Sequence, residues 1–198
     1  MTAQMSDIFY VKEKKYFLVA MSELIGFDPR KYGIIPAPIS TACWRGYLCV
    51  YDVTQKRLYL RDLYINSKNS VYPDINCVCA FPKAKSDIGL FWGAHWYGHL
   101  NIPIEYSGKI LIGNNFIQEY YIHMGFQMPW SYKNLIELDF ENGVLTNTVN
   151  HSEAARKIRK EIIRSPEEFK KALYGKNSAD FIKKCFSTDM PVKAWWIK

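Results

Sequence analysis

Residues 40–51 read Ser-Thr-Ala-Cys-Trp-Arg-Gly-Tyr-Leu-Cys-Val-Tyr. Aromatic, Thr and Val residues crowd this stretch, a composition that suits a pleated, half-buried surface rather than a helix. On a period of two, Ala42, Trp44, Gly46, Leu48 and Val50 fall on one side. Cys43, Arg45, Tyr47, Cys49 and Tyr51 fall on the other. The first set reads as core and the second as an amphipathic face that holds one cation among phenols. The segment Leu-Tyr-Leu-Arg-Asp-Leu-Tyr-Ile at 58–65 follows after the polar Thr54-Gln55-Lys56-Arg57. Together they predict a hairpin.

Two echoes of the opening stretch recur, Gly-Ala-His-Trp-Tyr-Gly-His-Leu at 93–100 and Glu-Tyr-Tyr-Ile-His-Met-Gly at 119–125. Working outward, residues 7–11 and 15–21 predict a first hairpin around Lys12-Glu13-Lys14. Residues 26–38 hold Pro29, Pro36 and Pro38 and predict a loop. Residues 75–81 predict a short buried strand with Cys77 and Cys79 on one core-facing side. Residues 89–100 predict a bent strand, and 109–112, 116–123, 133–140 and 144–149 a meander, with Asn142-Gly143 as a tight turn. Roughly nine or ten short strands point to a sandwich or barrel.

After Asn150 the apolar period lengthens. Ala155, Ile158 and Ile162 share one helical face over residues 151–164. Ser165-Pro166-Glu167-Glu168 is a helix start that runs to Tyr174, stopped by Gly175. Residues 178–186 suggest a third helix, and Trp195-Trp196 an aromatic tail that docks. The fold class expected is therefore α+β and mostly β. An antiparallel β-sandwich or partly open barrel in residues 1–150 carries a basic appendage of two or three C-terminal helices, residues 151–198, packed on it.

The 198 residues are 48% hydrophobic and 16% aromatic, enough for a core and unlike a disordered chain. No run of 18 apolar residues is present, so no spanning helix is expected. Residues 1–15 lack the apolar segment of a secretory signal. Five cysteines, an odd number, then suggest reduced thiols and a cytoplasmic protein. The net charge of +7 is uneven: residues 151–198 hold 12 Lys+Arg against 6 Asp+Glu, and residues 1–150 hold 14 against 13. Basicity therefore belongs to the helices, which suggests a nucleic-acid or protein partner through residues 152–198, or simply a solvated surface.

No nucleophile elbow, phosphate loop, dinucleotide fingerprint or zinc-protease helix occurs. His95 and His99 have metal-pair spacing on a helix, but on a strand they lie about 13 Å apart. They are read as groove or structural residues. Glu119 and His123 share a face if 116–123 is a strand, an arrangement open to acid–base work or to plain hydrogen bonding. Arg45 offers a planar fork for phosphate or carboxylate beside rings that can stack. The competing role is a structural pair with Asp52, Asp62 or Glu119.

Several segments carry a resemblance. Ser40-Thr41-Ala42-Cys43-Trp44-Arg45-Gly46-Tyr47, Leu58-Tyr59-Leu60, residues 96–103 (Trp-Tyr-Gly-His-Leu-Asn-Ile-Pro) and residues 121–126 (Tyr-Ile-His-Met-Gly-Phe) resemble segments of a set of uncharacterised bacterial proteins. The likeness covers residues 40–145 and ends near Gly143-Val144. Phe126 stands where that set has Tyr, and Ile104 where it has Gly. The resemblance implies a β-rich fold and one constellation of Trp44, Arg45, His123 and Gly125.

The function expected is non-catalytic binding of a small anionic, nucleotide-like ligand, with no cofactor or metal. Arg45 takes the anion, Tyr47 and Trp96 stack, and His99 or His123 donates hydrogen bonds. The alternative is a hydrolase or lyase acting through Glu119 and His123.

Overall fold

The computed structural model describes residues 3–82, 95–123 and 125–174, and the single positions 183 and 188. Its strands are β1 (Ile8–Val11), β2 (Lys14–Met21), β3 (Tyr47–Thr54), β4 (Arg57–Ile65), β5 (Phe81–Pro82), β6 (His95–Tyr97), β7 (Ile102–Pro103), β8 (Gly108–Phe116), β9 (Tyr132–Glu141) and β10 (Val144–Asn150). Two helices follow, α1 (Ser152–Arg164) and α2 (Pro166–Tyr174). The expected mostly-β α+β fold with C-terminal helices is what the chain adopts.

Three hairpins share one turn geometry. Val11 faces Lys14 across Lys12-Glu13, with φ of 49° and 64°. Thr54 faces Arg57 across Gln55-Lys56, at 50° and 62°. Glu141 faces Val144 across Asn142-Gly143, at 48° and 75°. Two central residues with positive φ define the turn whose twist matches that of the flanking strands. Only the last has the residues that adopt it without cost.

All ten strands join one sheet in the order β10-β9-β8-β2-β1-β3-β4-β6-β5, with β7 also on β4. The sheet rolls until Val144 of β10 pairs with Arg57 of β4, so it is ring-like without closing as a barrel. The pairing of β1 with β3 is parallel, Ile8 opposite Val50. A purely antiparallel domain is thus corrected to a mixed sheet. The cause is the short β1–β2 hairpin, which inserts between β8 and β3 and leaves β3 to be reached by the long 22–46 connection.

Both sides of the sheet are buried along its central strands. Phe9, Cys49, Tyr51, Leu60, Leu63, Ile110 and Leu138 line the concave core. On the outer side Ile8, Leu48, Val50 and Tyr64 pack with Cys43 and Met5. Elsewhere on that side, Val19, Ala20, Leu111 and Leu135 pack with Trp130, Ala155 and Ile158. A bulge between Leu18 and Ala20 turns Val19 and Ala20 both outward. The helical face expected from the 3.6 period exists, with Ala155, Ile158 and Ile162 buried.

Three segments differ from the sequence expectation. Residues 42–46 are not strand. Gly46 has φ of 79°, and a Cβ there would collide with the carbonyl of Ala37, so the chain turns before β3 and leaves Trp44 65% exposed. Residues 75–78 form a tight turn, with Asn76 and Cys77 at positive φ and reciprocal bonds between Ile75 and Val78 of 2.9 and 3.0 Å. Cys77 and Cys79 are therefore exposed rather than core. Strand β8 ends at Phe116, and Gln118–Tyr120 is a 3-10 turn. Apart from position 183, the expected helix at 178–186 lies outside the described residues, as do the Trp195-Trp196 tail, Cys185 and part of 89–100.

Candidate ligand-binding cleft

Residues 3–6 run as a strap across the outer side of the sheet before entering β1. The Gln4 N–H donates to the Gly125 carbonyl at 2.7 Å, and the Met5 N–H donates to that of Ala42 at 2.9 Å. The Gln4 side chain adds a bond to the Thr41 carbonyl at 3.0 Å. Arg45 grips Asp7, the next residue along, so the Trp44-Arg45 and His123-Gly125 neighbourhoods are both tied to this one strap.

Under the strap lies a cleft of ≈ 610 Å³. Its walls come from outward-facing positions of four strands: Ile8 on β1, Phe17 on β2, Leu48 on β3 and Phe116 at the end of β8. Tyr132 faces Phe116 across the β8–β9 ladder, and their rings meet edge-on with centroids 5.4 Å apart. Tyr121 packs edge-on against Phe116 at 6.4 Å. Burial pushes the Tyr132 phenol up to about 12, so it stays neutral in ordinary conditions. The Lys15 ammonium lies 5.4 Å from the Phe17 ring centroid. The Gln127 amide both donates to and accepts from the Ile122 backbone, at 2.9 and 3.0 Å, and braces the 121–128 loop. The arrangement offers apolar and aromatic walls, neutral amides and one cation, the makeup of a small-molecule site.

The sequence-derived residues sit elsewhere. Arg45 donates to the Tyr47 carbonyl at 2.7 Å and to both carboxylate oxygens of Asp7, one of them at 3.0 Å. Its guanidinium also covers the Tyr47 ring, 4.6 Å from the centroid. Arg45 and Tyr47 are thus brought together, and the carboxylate paired with Arg45 is Asp7 rather than Asp52, Asp62 or Glu119. Burial raises the Tyr47 phenol pKa. Trp96 lies opposite Tyr64 in the β4–β6 ladder and packs on the outer apolar cluster. His99 is exposed at φ of 56°, and its N–H donates to Asp62 at 3.0 Å. His95 instead stacks on Tyr72 at 3.5 Å, and burial lowers its pKa.

His123 is exposed, its ring edge-on to Tyr121 at 4.9 Å. Glu119 is exposed on the 3-10 turn, which removes the shared strand face on which its partnership with His123 depended. None of Arg45, Tyr47, Trp96, His99 and His123 lines the cleft; His123 touches its wall through Tyr121, and Trp96 packs on the cluster that holds Ile8 and Leu48. Among the described residues no group of three or more His, Cys, Asp or Glu is placed to hold a metal ion. The Cys79 thiol bonds Asp74, which raises its pKa.

Sequence reasoning missed both the cleft and a buried ion cluster. Phe17 and Ile8 gave the only hint of the cleft, as apolar residues on both sides of short strands. Buried Glu137 pairs with Lys109 and with His151 Nε2, each at 3.1 Å. The backbone N–H of His151 donates to Leu135 at 2.8 Å, which fixes the start of α1 on β9. Fourteen residues separate Glu137 from His151, and no spacing rule marks that pair. Comparisons with protein-family models, with curated proteins and with solved structures found no match.

Proposed function

We propose that the protein is a non-catalytic binder that captures a small anionic ligand in the cleft under residues 3–6. The observation that carries this reading is the ≈ 610 Å³ cleft itself, apolar-walled and with Lys15 at its edge. Arg45, the anion grip expected from the sequence, is committed to Asp7, so the anion falls to Lys15. The body of the ligand would lie against Phe116 and Tyr121. The test is mass spectrometry of small molecules released by heat from protein purified from cells. A stoichiometric anion, lost from a folded Ala42→Phe variant that narrows the cleft, supports capture there. Undiminished recovery from that variant sinks the assignment.

One contact favours the hydrolase or lyase alternative: His123 touches Tyr121, a wall of the cleft. Turnover abolished in His123→Ala with binding retained would replace capture by catalysis. A macromolecular partner on the helices is less favoured. Arg156, Arg164 and Lys170 already pair with Glu153, Glu161 and Glu167, which dilutes the basic field.

A further inference from the structure

We infer that the ligand of this cleft is an amphiphilic monoanion, an apolar body ending in one carboxylate, taken up from solution. This rests on the capture reading and narrows its ligand class.

The charge inventory comes first. Among the described residues that line the cleft, Lys15 is the one charged side chain. Gln4, Gln118, Ser6 and the phenols of Tyr121 and Tyr132 are neutral, and the Gln127 amide is already occupied by Ile122. A phosphomonoester brings about two negative charges, and a ribose brings hydroxyls that each need a partner once out of water. One ammonium and a few amides match a single carboxylate instead.

Position agrees with charge. Lys15 is exposed, whereas Ile8 and Leu48 on the cleft floor are each only 1% exposed. The Lys15 head rests near the Phe17 ring. An anion at Lys15 therefore stays at the wet rim, while the rest of the ligand lies on Ile8, Leu48 and Phe116. The roof suits an elongated apolar body too. Ala3 and Met5 face it, and Met adapts its shape to irregular partners. The strap is held to its neighbours by two backbone bonds and the Gln4 side-chain bond to Thr41, few enough to part as a ligand enters.

Calorimetric titration of the full chain with dodecanoate, dodecanol and AMP tests this. Dodecanoate, below its micelle concentration, is expected to bind one to one, and AMP not to compete. Exposed Lys15→Met should weaken dodecanoate about fivefold and leave dodecanol unchanged, since only the charge is lost. Ala42→Phe should weaken both alcohol and acid. An equal effect of Lys15→Met on acid and alcohol overturns the role of Lys15 and with it the monoanion. Binding of AMP without dodecanoate overturns the amphiphile. A hydrophilic polyanion recovered in the heat-release measurement would do the same while leaving capture standing. Pelleting with phosphatidylglycerol vesicles, with free dodecanoate ignored, overturns uptake from solution.

Discussion

Asp7 is 4% exposed, and its carboxylate is satisfied by the Arg45 fork and by the Cys49 N–H at 2.7 Å. Three elements meet in that one group: the end of the strap, the turn at residues 43–46 and β3. The same burial and the same carboxylate raise the pKa of the Cys49 thiol, so that cysteine is inert packing rather than a nucleophile. Taking Arg45 away leaves Asp7 buried without its counterion, a change that costs several kcal/mol where the pair is fully enclosed. The Arg45 side chain is 40% exposed, so about 2–3 kcal/mol is the expected loss for Arg45→Met. Urea denaturation measures it, and the Asp7→Asn/Arg45→Met double variant should lose less than the two single losses summed. If Arg45 served a ligand alone, stability of Arg45→Met would match the parent protein. The sequence showed that Arg45 had either a binding or a pairing role. It did not show Asp7, because that partner depends on the parallel β1–β3 register. Asp62, one partner considered, is taken by Arg61 at 3.0 Å and by the His99 N–H.

The hairpins were legible because short polar stretches separate runs rich in Tyr, Leu and Val, but Cys49 and Tyr51, read as an amphipathic face, are buried in the core. The misread segments, 42–46 and 75–81, share a physical reason. Alternation assigns faces only where the backbone stays extended, and Gly46, Asn76 and Cys77 take positive φ and reverse it. The same backbone region yields a prediction for the β1–β2 turn. Lys12 and Glu13 sit at φ of 49° and 64°, where an L side chain other than Asn, Asp or Gly pays roughly 1 kcal/mol or more. The β9–β10 turn has the same geometry with Asn142-Gly143. Transplanting that pair as Lys12→Asn/Glu13→Gly should stabilise the protein by about 1–2 kcal/mol and raise the melting temperature by a few degrees. Both side chains are exposed, so no packing is lost to offset the gain. Thermal melts followed by circular dichroism decide the matter; an unchanged or lower midpoint would mean that the turn geometry is not what limits this hairpin.

At the scale of the molecule, the compositional break after Asn150 suggested an appendage packed on a β-domain, and the contacts of that packing are extensive. Ala155 and Ile158 are fully buried against the outer side of β8 and β9, in the same cluster as Leu111, Leu135 and Trp130. Arg159 donates to the carbonyls of Trp130 and Tyr132, both at 2.9 Å, and Phe169 of α2 meets the Trp130 ring edge-on at 6.1 Å. The helix start is fixed by Glu137 and Leu135 of β9. Charge told the helices apart from the sheet, but charge describes only their solvent side. Removing residues 152–198 would strip a wall from the outer core and expose the apolar face of Leu111, Leu135 and Trp130. The truncated chain is therefore expected to aggregate or lose fixed tertiary structure, not to survive as a folded sheet with an intact cleft. A gentler variant separates cooperativity from solubility: Ile158→Ala should cost about 2–4 kcal/mol through the cavity it leaves. Because fluorescence of the six tryptophans reports tertiary packing and far-ultraviolet circular dichroism the sheet and helices together, both signals should shift to the same lower urea midpoint in one transition. Two separated transitions, the second at the parent protein's midpoint, would show that the two parts fold separately.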